Sequence, residues 1–144
     1  MVEIILSIAV VTLFVAMMIP AALSLMSKAR NRTALAGLVQ IQEKVYEFHR
    51  ANDRYPDDLG EVYPDGVPHD PWGAPYQYLN IADAENTRGK QRKFKDMNSI
   101  NSDFDLYSMG PDGESVAPLI AESSRDDIIR GNNGRFIGYA TNFR

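Results

Sequence analysis

The chain changes character sharply along its length. Residues 4–25 contain no charged side chain, whereas the rest of the sequence mixes apolar and polar residues. A helix needs roughly 20 apolar residues to cross the hydrocarbon layer of a membrane. A signal-peptide core is shorter, about 7–15 residues, and follows basic residues. Because Glu3 stands before this longer stretch, the pattern predicts a membrane-spanning helix rather than a signal peptide or a buried core helix.

The same helix is predicted to continue beyond the apolar stretch. Apolar residues then recur at spacings of three and four, which is typical of one buried helix face. We predict a single helix from about Val2 to Ala51, ending at Asn52-Asp53 and Tyr55-Pro56, since the residue before a proline disfavours the helical region. The residues of this amphipathic stripe are Leu35, Leu38, Val39, Ile41, Val45, Tyr46 and Phe48.

The downstream sequence is turn-rich and then alternates in the manner of half-buried strands. Alternation predicts strands near residues 76–81, 104–109 and 135–140, with exposed polar loops at 83–101 and 114–133. The predicted fold is α+β: a long N-terminal α-helix, with a transmembrane half and an amphipathic half, packed on a small antiparallel β-sheet. Residues 1–27 form the transmembrane half, and residues 28–144 form the globular domain.

Two residues of the helix break local rules. Pro20 removes an intrahelical donor and crowds the carbonyl of Ala16, so we expect a kink or local melting there. Glu3 is a carboxylate at the edge of an apolar segment, where burial costs about 2.5–3.5 kcal/mol unless it is paired. No Lys or Arg precedes Lys28. The nearby cation is therefore an α-amino group, its own or a neighbouring chain's, unless Glu3 simply reaches headgroup water.

Composition narrows the classes of function that the protein can have. A net charge of −4 and a pI near 5.1 argue against a nucleic-acid binder. The sequence has no cysteine and none of the common catalytic motifs, so we expect a protein that is not an enzyme. The basic residues Lys28, Arg30 and Arg32 follow the apolar stretch, which would place the globular part in the cytoplasm unless a basic leader is removed first.

An acidic cluster raises the question of calcium, which binds six to eight oxygen ligands. The segment 103–114 has the length of an EF-hand loop but carries Tyr107 where a ligand belongs and Ser108 where glycine belongs. From chemistry alone a solvated acidic surface is favoured over a calcium site. The cluster comprises Asp103, Asp105, Asp112, Glu114, Asp126 and Asp127.

The N-terminal pattern resembles the type IV pilin-like family. Glu3, the uncharged stretch 4–25 and Pro20 match the family's glutamate, apolar helix and late proline. The resemblance implies that Glu3 and Pro20 serve assembly. It also implies a basic leader cut by a prepilin peptidase that methylates the new amine, with the globular half in the periplasm or outside. One departure is the start: Met1-Val2 stands before Glu3 in place of the family's phenylalanine.

A second resemblance is narrower. The segment DPWGAPYQY at 70–78 is similar to a signature of the major pseudopilins of type II secretion systems. The segment DLYSMGPDG at 105–113, with Asp126-Asp127, is similar to that group's calcium-binding C-terminal region. This implies a calcium ion held by the side chains of Asp112, Asp126 and Asp127 and the carbonyl of Met109. The sequence departs from the group at Ser115–Ile120, where a glycine- and glutamate-rich loop is usual.

The resemblance implies a structural subunit that polymerises with itself into a helical pseudopilus, which drives protein export across the outer membrane. The implied partners are minor pseudopilins, an inner-membrane assembly platform and, before assembly, the inner membrane, which the chain crosses once. Two alternatives stay open. One is the major pilin of a surface filament used for adhesion or motility. The other is a lone membrane-anchored binding domain.

Overall fold

The computed structural model describes residues 2–82, 87, 89–95 and 97–144 and has an α+β architecture, as the sequence predicts. Helix α1 is followed by four strands that form one antiparallel sheet in the order β1-β2-β3-β4. The chain divides into two compact units, one up to Arg32 and one from Thr33 to Arg144. The elements are α1 (Val2–Asn52), β1 (Gln77–Asn80), β2 (Phe104–Ser108), β3 (Ile128–Gly131) and β4 (Phe136–Tyr139).

The single long helix is confirmed almost to the residue. It ends at Asn52, and Asp53 adopts a left-handed conformation (φ 53°) while its N–H donates to the carbonyl of His49 at 2.8 Å. Between Val2 and Asn52 the helix continues through Pro20 without interruption. Local melting at Pro20 is thus absent from the single chain, and an irregularity there in an assembled filament stays a prediction.

The sheet is covered on both faces, because successive side chains of a strand point to opposite sides. On one face, Phe104, Leu106 and Ile128 pack with the buried stripe of α1. On the other face, Ile129 and Phe143 form a second core with loop residues. The helical members of the first core are Ala34, Leu38, Ile41 and Val45, and the loop and C-terminal members of the second include Ile100, Leu119 and Ala140.

Two predictions about the loops are wrong. Strand β3 lies inside the segment predicted as the loop 114–133, and it pairs with both β2 and β4. Its short sequence IIRG does not alternate between apolar and polar residues, because Arg130 is as buried as its neighbours. The predicted exposed loop 83–101 lies partly outside the described residues, and some of its described residues are buried: Arg92, Ile100 and Asn101 are each at most 6% exposed.

Arg130 joins the helix, the sheet and the loop before β2. Its Nε donates to Gln42 Oε1 at 2.7 Å, and Nη2 donates to the Tyr46 hydroxyl at 2.7 Å. Both terminal nitrogens bind the Asp103 carboxylate, at 2.9 and 2.5 Å, and the guanidinium lies 3.8 Å from the centre of the Phe104 ring. Burial opposes the charge, but the bonds to Asp103 prevail and raise the pKa of Arg130 above its usual range.

We predict that Arg130→Met lowers the free energy of unfolding by about 3–5 kcal/mol, because it leaves Asp103 and Gln42 without their buried partner. The matched control is Arg135→Met, at an exposed arginine, where the change should stay within about 0.5 kcal/mol. Unfolding of the full chain in non-ionic detergent is followed by the fluorescence of Trp72, the only tryptophan, which packs on the first core. Equal losses in the two variants would contradict the assignment.

Candidate functional site

The apolar half of α1 is exposed in the part of the chain that the structure describes. Its large side chains remain exposed, from 45% at Val10 to 79% at Val2. Its most apolar 18-residue window has a mean hydropathy of 2.6 and no buried residue. By length and composition this helix is able to cross a membrane. An exposed apolar surface of this size marks a membrane or protein interaction site.

Glu3 lies in the first turn of α1, in the exposed part of the helix. Its main-chain carbonyl accepts a hydrogen bond from the Ser7 hydroxyl at 2.8 Å. Among residues 2–82 and the later described segments, no side chain binds the Glu3 carboxylate. The carboxylate is therefore open to a group supplied from outside this part of the chain.

The motif at 70–78 builds a turn rather than a binding site. Asp70 is buried, and its Oδ1 accepts the N–H groups of Trp72 and Ala74, both at 3.0 Å. Its Oδ2 accepts the Ser108 hydroxyl at 2.6 Å, which ties the turn to the end of β2. Gly73 has φ +96°, a conformation that other residues rarely adopt. The motif residues thus stabilise the fold.

Tyr76, the aromatic residue of this motif, fastens the turn to the amphipathic part of α1. Its hydroxyl donates to the carbonyl of Ala34 at 3.1 Å. The ring lies so close to Gly37 that a Cβ at this position would overlap it. Burial, with a smaller contribution from the charge of Asp70, raises the pKa of Tyr76 to about 12.

The predicted calcium ligands are only partly brought together. The N–H of Asp112 donates to Asp126 Oδ2 at 3.3 Å, so the turn after β2 does meet the segment before β3. The absence of a side chain at Gly110 permits this approach, because a Cβ there would lie 2.6 Å from the Asp126 carbonyl oxygen. Asp112 Oδ1 accepts the N–H of Glu114 at 2.9 Å, and Met109 is half-buried beside this turn.

Asp127 has a different environment from its neighbour. It is fully buried, and its Oδ2 accepts hydrogen bonds from Arg92 Nη2 and from the Ser115 hydroxyl. Burial raises the pKa of Asp127 to about 6; Ser115 and Arg92 oppose this shift, and the charge of Asp126 adds to it. Its Oδ1 is buried without a hydrogen-bond partner among the described residues.

This arrangement brings Asp112 close to Asp126 but leaves Asp127 bonded to other partners. In the described part of the chain, no three Asp, Glu or His side chains come together as a set able to hold a metal. The carboxylate of Asp127 is already paired with a guanidinium, which would repel a second cation. Calcium at Met109, Asp112, Asp126 and Asp127 stays a prediction, and the Arg92 experiment described below tests it.

Arg92 is the residue of this region whose role the sequence did not indicate. It lies in the polar run Lys90-Gln91-Arg92-Lys93, where nothing in the sequence distinguishes it from its less buried neighbours. Its burial depends on a partner 35 residues away, Asp127, which no local pattern indicates. A tertiary ion pair of this kind is therefore not detectable from one sequence.

Comparison with models of known protein families, and with curated proteins, gives no match. The resemblance to pilin-like proteins therefore rests on the motifs described above. The architecture, with one long N-terminal helix and a four-stranded antiparallel sheet, is consistent with a pilin-like fold.

We predict that Gly37→Ala destabilises the domain, although the same change in an open helix stabilises it by up to about 1 kcal/mol. The added Cβ overlaps the Tyr76 ring, and overpacking of this kind costs about 1–3 kcal/mol. The sign should reverse in a Tyr76→Leu background, where the ring is absent. Thermal unfolding of the four chains gives the double-mutant cycle. A Gly37→Ala effect that is the same in both backgrounds would show that Tyr76 is not the cause.

A pH dependence follows from the Tyr76 phenol. Its pKa is about 12 in the folded state and about 10 in the unfolded state. The stability that the neutral phenol contributes is therefore complete below pH 10 and is lost as pH rises through 12. Tyr76→Phe should cost about 1 kcal/mol at pH 8, from the lost hydrogen bond. By pH 11 wild type loses about 1.4 kcal/mol relative to the variant, so its advantage of about 1 kcal/mol disappears and the variant becomes slightly the more stable. A constant difference in denaturant midpoints between pH 8 and pH 11 would contradict this.

Proposed function

We propose that this chain is a structural subunit of a type IV pilin-like filament, and specifically of the pseudopilus of a type II secretion system. The observation that carries the proposal is the exposed apolar half of α1, whose first turn carries Glu3, a carboxylate with no partner among the described residues. A soluble globular protein has no use for such a surface. In a filament subunit the same surface contacts lipid before assembly and other subunits after it.

Assembly follows from the two environments that this helix half suits. In the inner membrane its apolar side chains meet lipid, and in the filament they meet the same half of neighbouring subunits. A head-to-tail contact that does not close into a ring produces a helical polymer. Glu3 pairs with the α-amino group of a neighbouring subunit during docking, because a carboxylate in an apolar surrounding needs an opposite charge. Pro20 leaves the Ala16 carbonyl without its donor and is the place where the helix yields in the polymer.

The folded domain supports a structural role of the same kind. Its buried polar side chains, such as Asp70 and Arg130, act in holding loops to the sheet and the helix. The domain faces the periplasm after removal of a basic leader. Minor pseudopilins and an inner-membrane platform are its assembly partners, and growth of the polymer pushes exported proteins outward. The second candidate, a pilin of a surface filament, shares the exposed helix and differs in where the polymer ends.

We predict that Glu3→Ala sharply reduces polymer formation while the domain stays folded and the helix stays in the membrane. Ser7→Ala is the matched control, since it also truncates a polar side chain near the helix start but keeps the carboxylate. The chain has no cysteine, so Val10→Cys provides a single cross-linking site in the exposed half. Dimers of the Val10→Cys chain linked by a flexible bis-maleimide, which does not require the two cysteines to touch, should be lost with Glu3→Ala and retained with Ser7→Ala.

The same variants separate the candidate functions in cells that make this protein. Loss of protein export with Glu3→Ala supports the pseudopilus, whereas normal export with loss of surface fibres supports the pilin. Normal cross-linking and normal filaments from the Glu3→Ala chain would contradict both and leave a lone membrane-anchored domain.

A further inference from the structure

Arg92 is a buried cation on the sheet face opposite α1. Its side chain is 3% exposed, and the guanidinium lies 4.1 Å from the centre of the Tyr107 ring on β2. Its main-chain N–H donates to Asp105 Oδ2 at 2.6 Å, and Nη1 donates to the Val116 carbonyl at 2.5 Å. Nη2 binds the carboxylate of Asp127, the residue before β3.

These contacts connect four parts of the chain that are distant in sequence. They are the described loop 89–95, strand β2, the segment around Ser115 and Val116, and the start of β3. The Ser115 hydroxyl binds the same Asp127 oxygen at 2.6 Å, and the Ser124 hydroxyl fixes the Val116 main chain from the other side, at 3.0 and 2.9 Å. The segment 115–124 is thus arranged around the guanidinium.

We propose that Arg92 is the resident cation of the C-terminal acidic loop and performs, from within the chain, the cross-linking that a bound divalent ion would otherwise supply. The guanidinium supplies a fixed positive charge with several donors in one plane, which suits a carboxylate and a carbonyl at once. A metal ion at Asp127 would have to displace this charge or lie beside it. The loop therefore holds its structure without calcium.

The proposal makes two separable predictions for thermal unfolding of the full chain in non-ionic detergent. Wild type should unfold at the same temperature, within about 1 °C, in millimolar calcium and in chelator. A site occupied at 100 times its dissociation constant would instead shift it by several degrees. Arg92→Met should lower the unfolding temperature by about 10 °C or more, because it leaves a buried carboxylate without its counter-ion.

The matched control is Lys90→Met, which removes one positive charge from the exposed part of the same loop and should shift the unfolding temperature by no more than about 2 °C. Should Arg92→Met fail to fold, Arg92→Lys keeps the charge but loses the planar fork, and it should fold with a smaller loss. The double variant Arg92→Met with Asp127→Leu should lose less than the sum of the two single variants, because the pair is removed together.

Two results would overturn the proposal. One is a wild-type chain that unfolds several degrees higher in calcium than in chelator, since the loop would then use a metal. The other is an Arg92→Met chain that loses no more stability than Lys90→Met, since the guanidinium would then hold nothing together. Both readouts are independent of filament formation, so failure here leaves the proposed function untouched.

Discussion

A charge buried in a small domain is stable only when its partners surround it, and this constraint organises the globular unit around Arg130. Side chains from two distant parts of the chain meet at its guanidinium: Gln42 and Tyr46 of the helix, and Asp103 of the loop before β2. Apolar packing alone would allow the helix to slide along the sheet. Because each donor of Arg130 has one acceptor position, the ion pair specifies one register for helix and sheet.

Arg92 is the corresponding buried cation on the other face of the sheet, and it too is surrounded by partners. Asp105 and Tyr107 present their side chains there, while Phe104 and Leu106 of the same strand face the helix. The four-stranded sheet is therefore fastened to α1 by one arginine and to the C-terminal loops by another. Each guanidinium is paired with an aspartate carboxylate, so neither positive charge is buried without a counter-ion.

Features that depend on residues close in sequence could be predicted, whereas features that depend on residues distant in sequence could not. Helix α1, and the strands near 77–80, 104–108 and 136–139, were predictable because their periodicity is local. Strand β3 was not, because Arg130 disrupts its pattern and is explained only by partners 27 to 88 residues away, Asp103, Tyr46 and Gln42. For the candidate site, the carboxylates were found by residue type, but the pairing of Asp127 with Arg92 depends on tertiary contacts that no spacing reveals.

The two units differ in whether their side chains find partners among the described residues. In the globular unit most buried polar atoms have partners, including those of Asp70, Asn101 and Arg130. In the apolar half of α1 the large side chains are exposed, and Glu3 has no described partner. Among the described residues, the members of both hydrophobic cores belong to the globular unit. The exposed apolar half suits a membrane or other subunits, and this is the physical basis of the proposed role as a filament subunit.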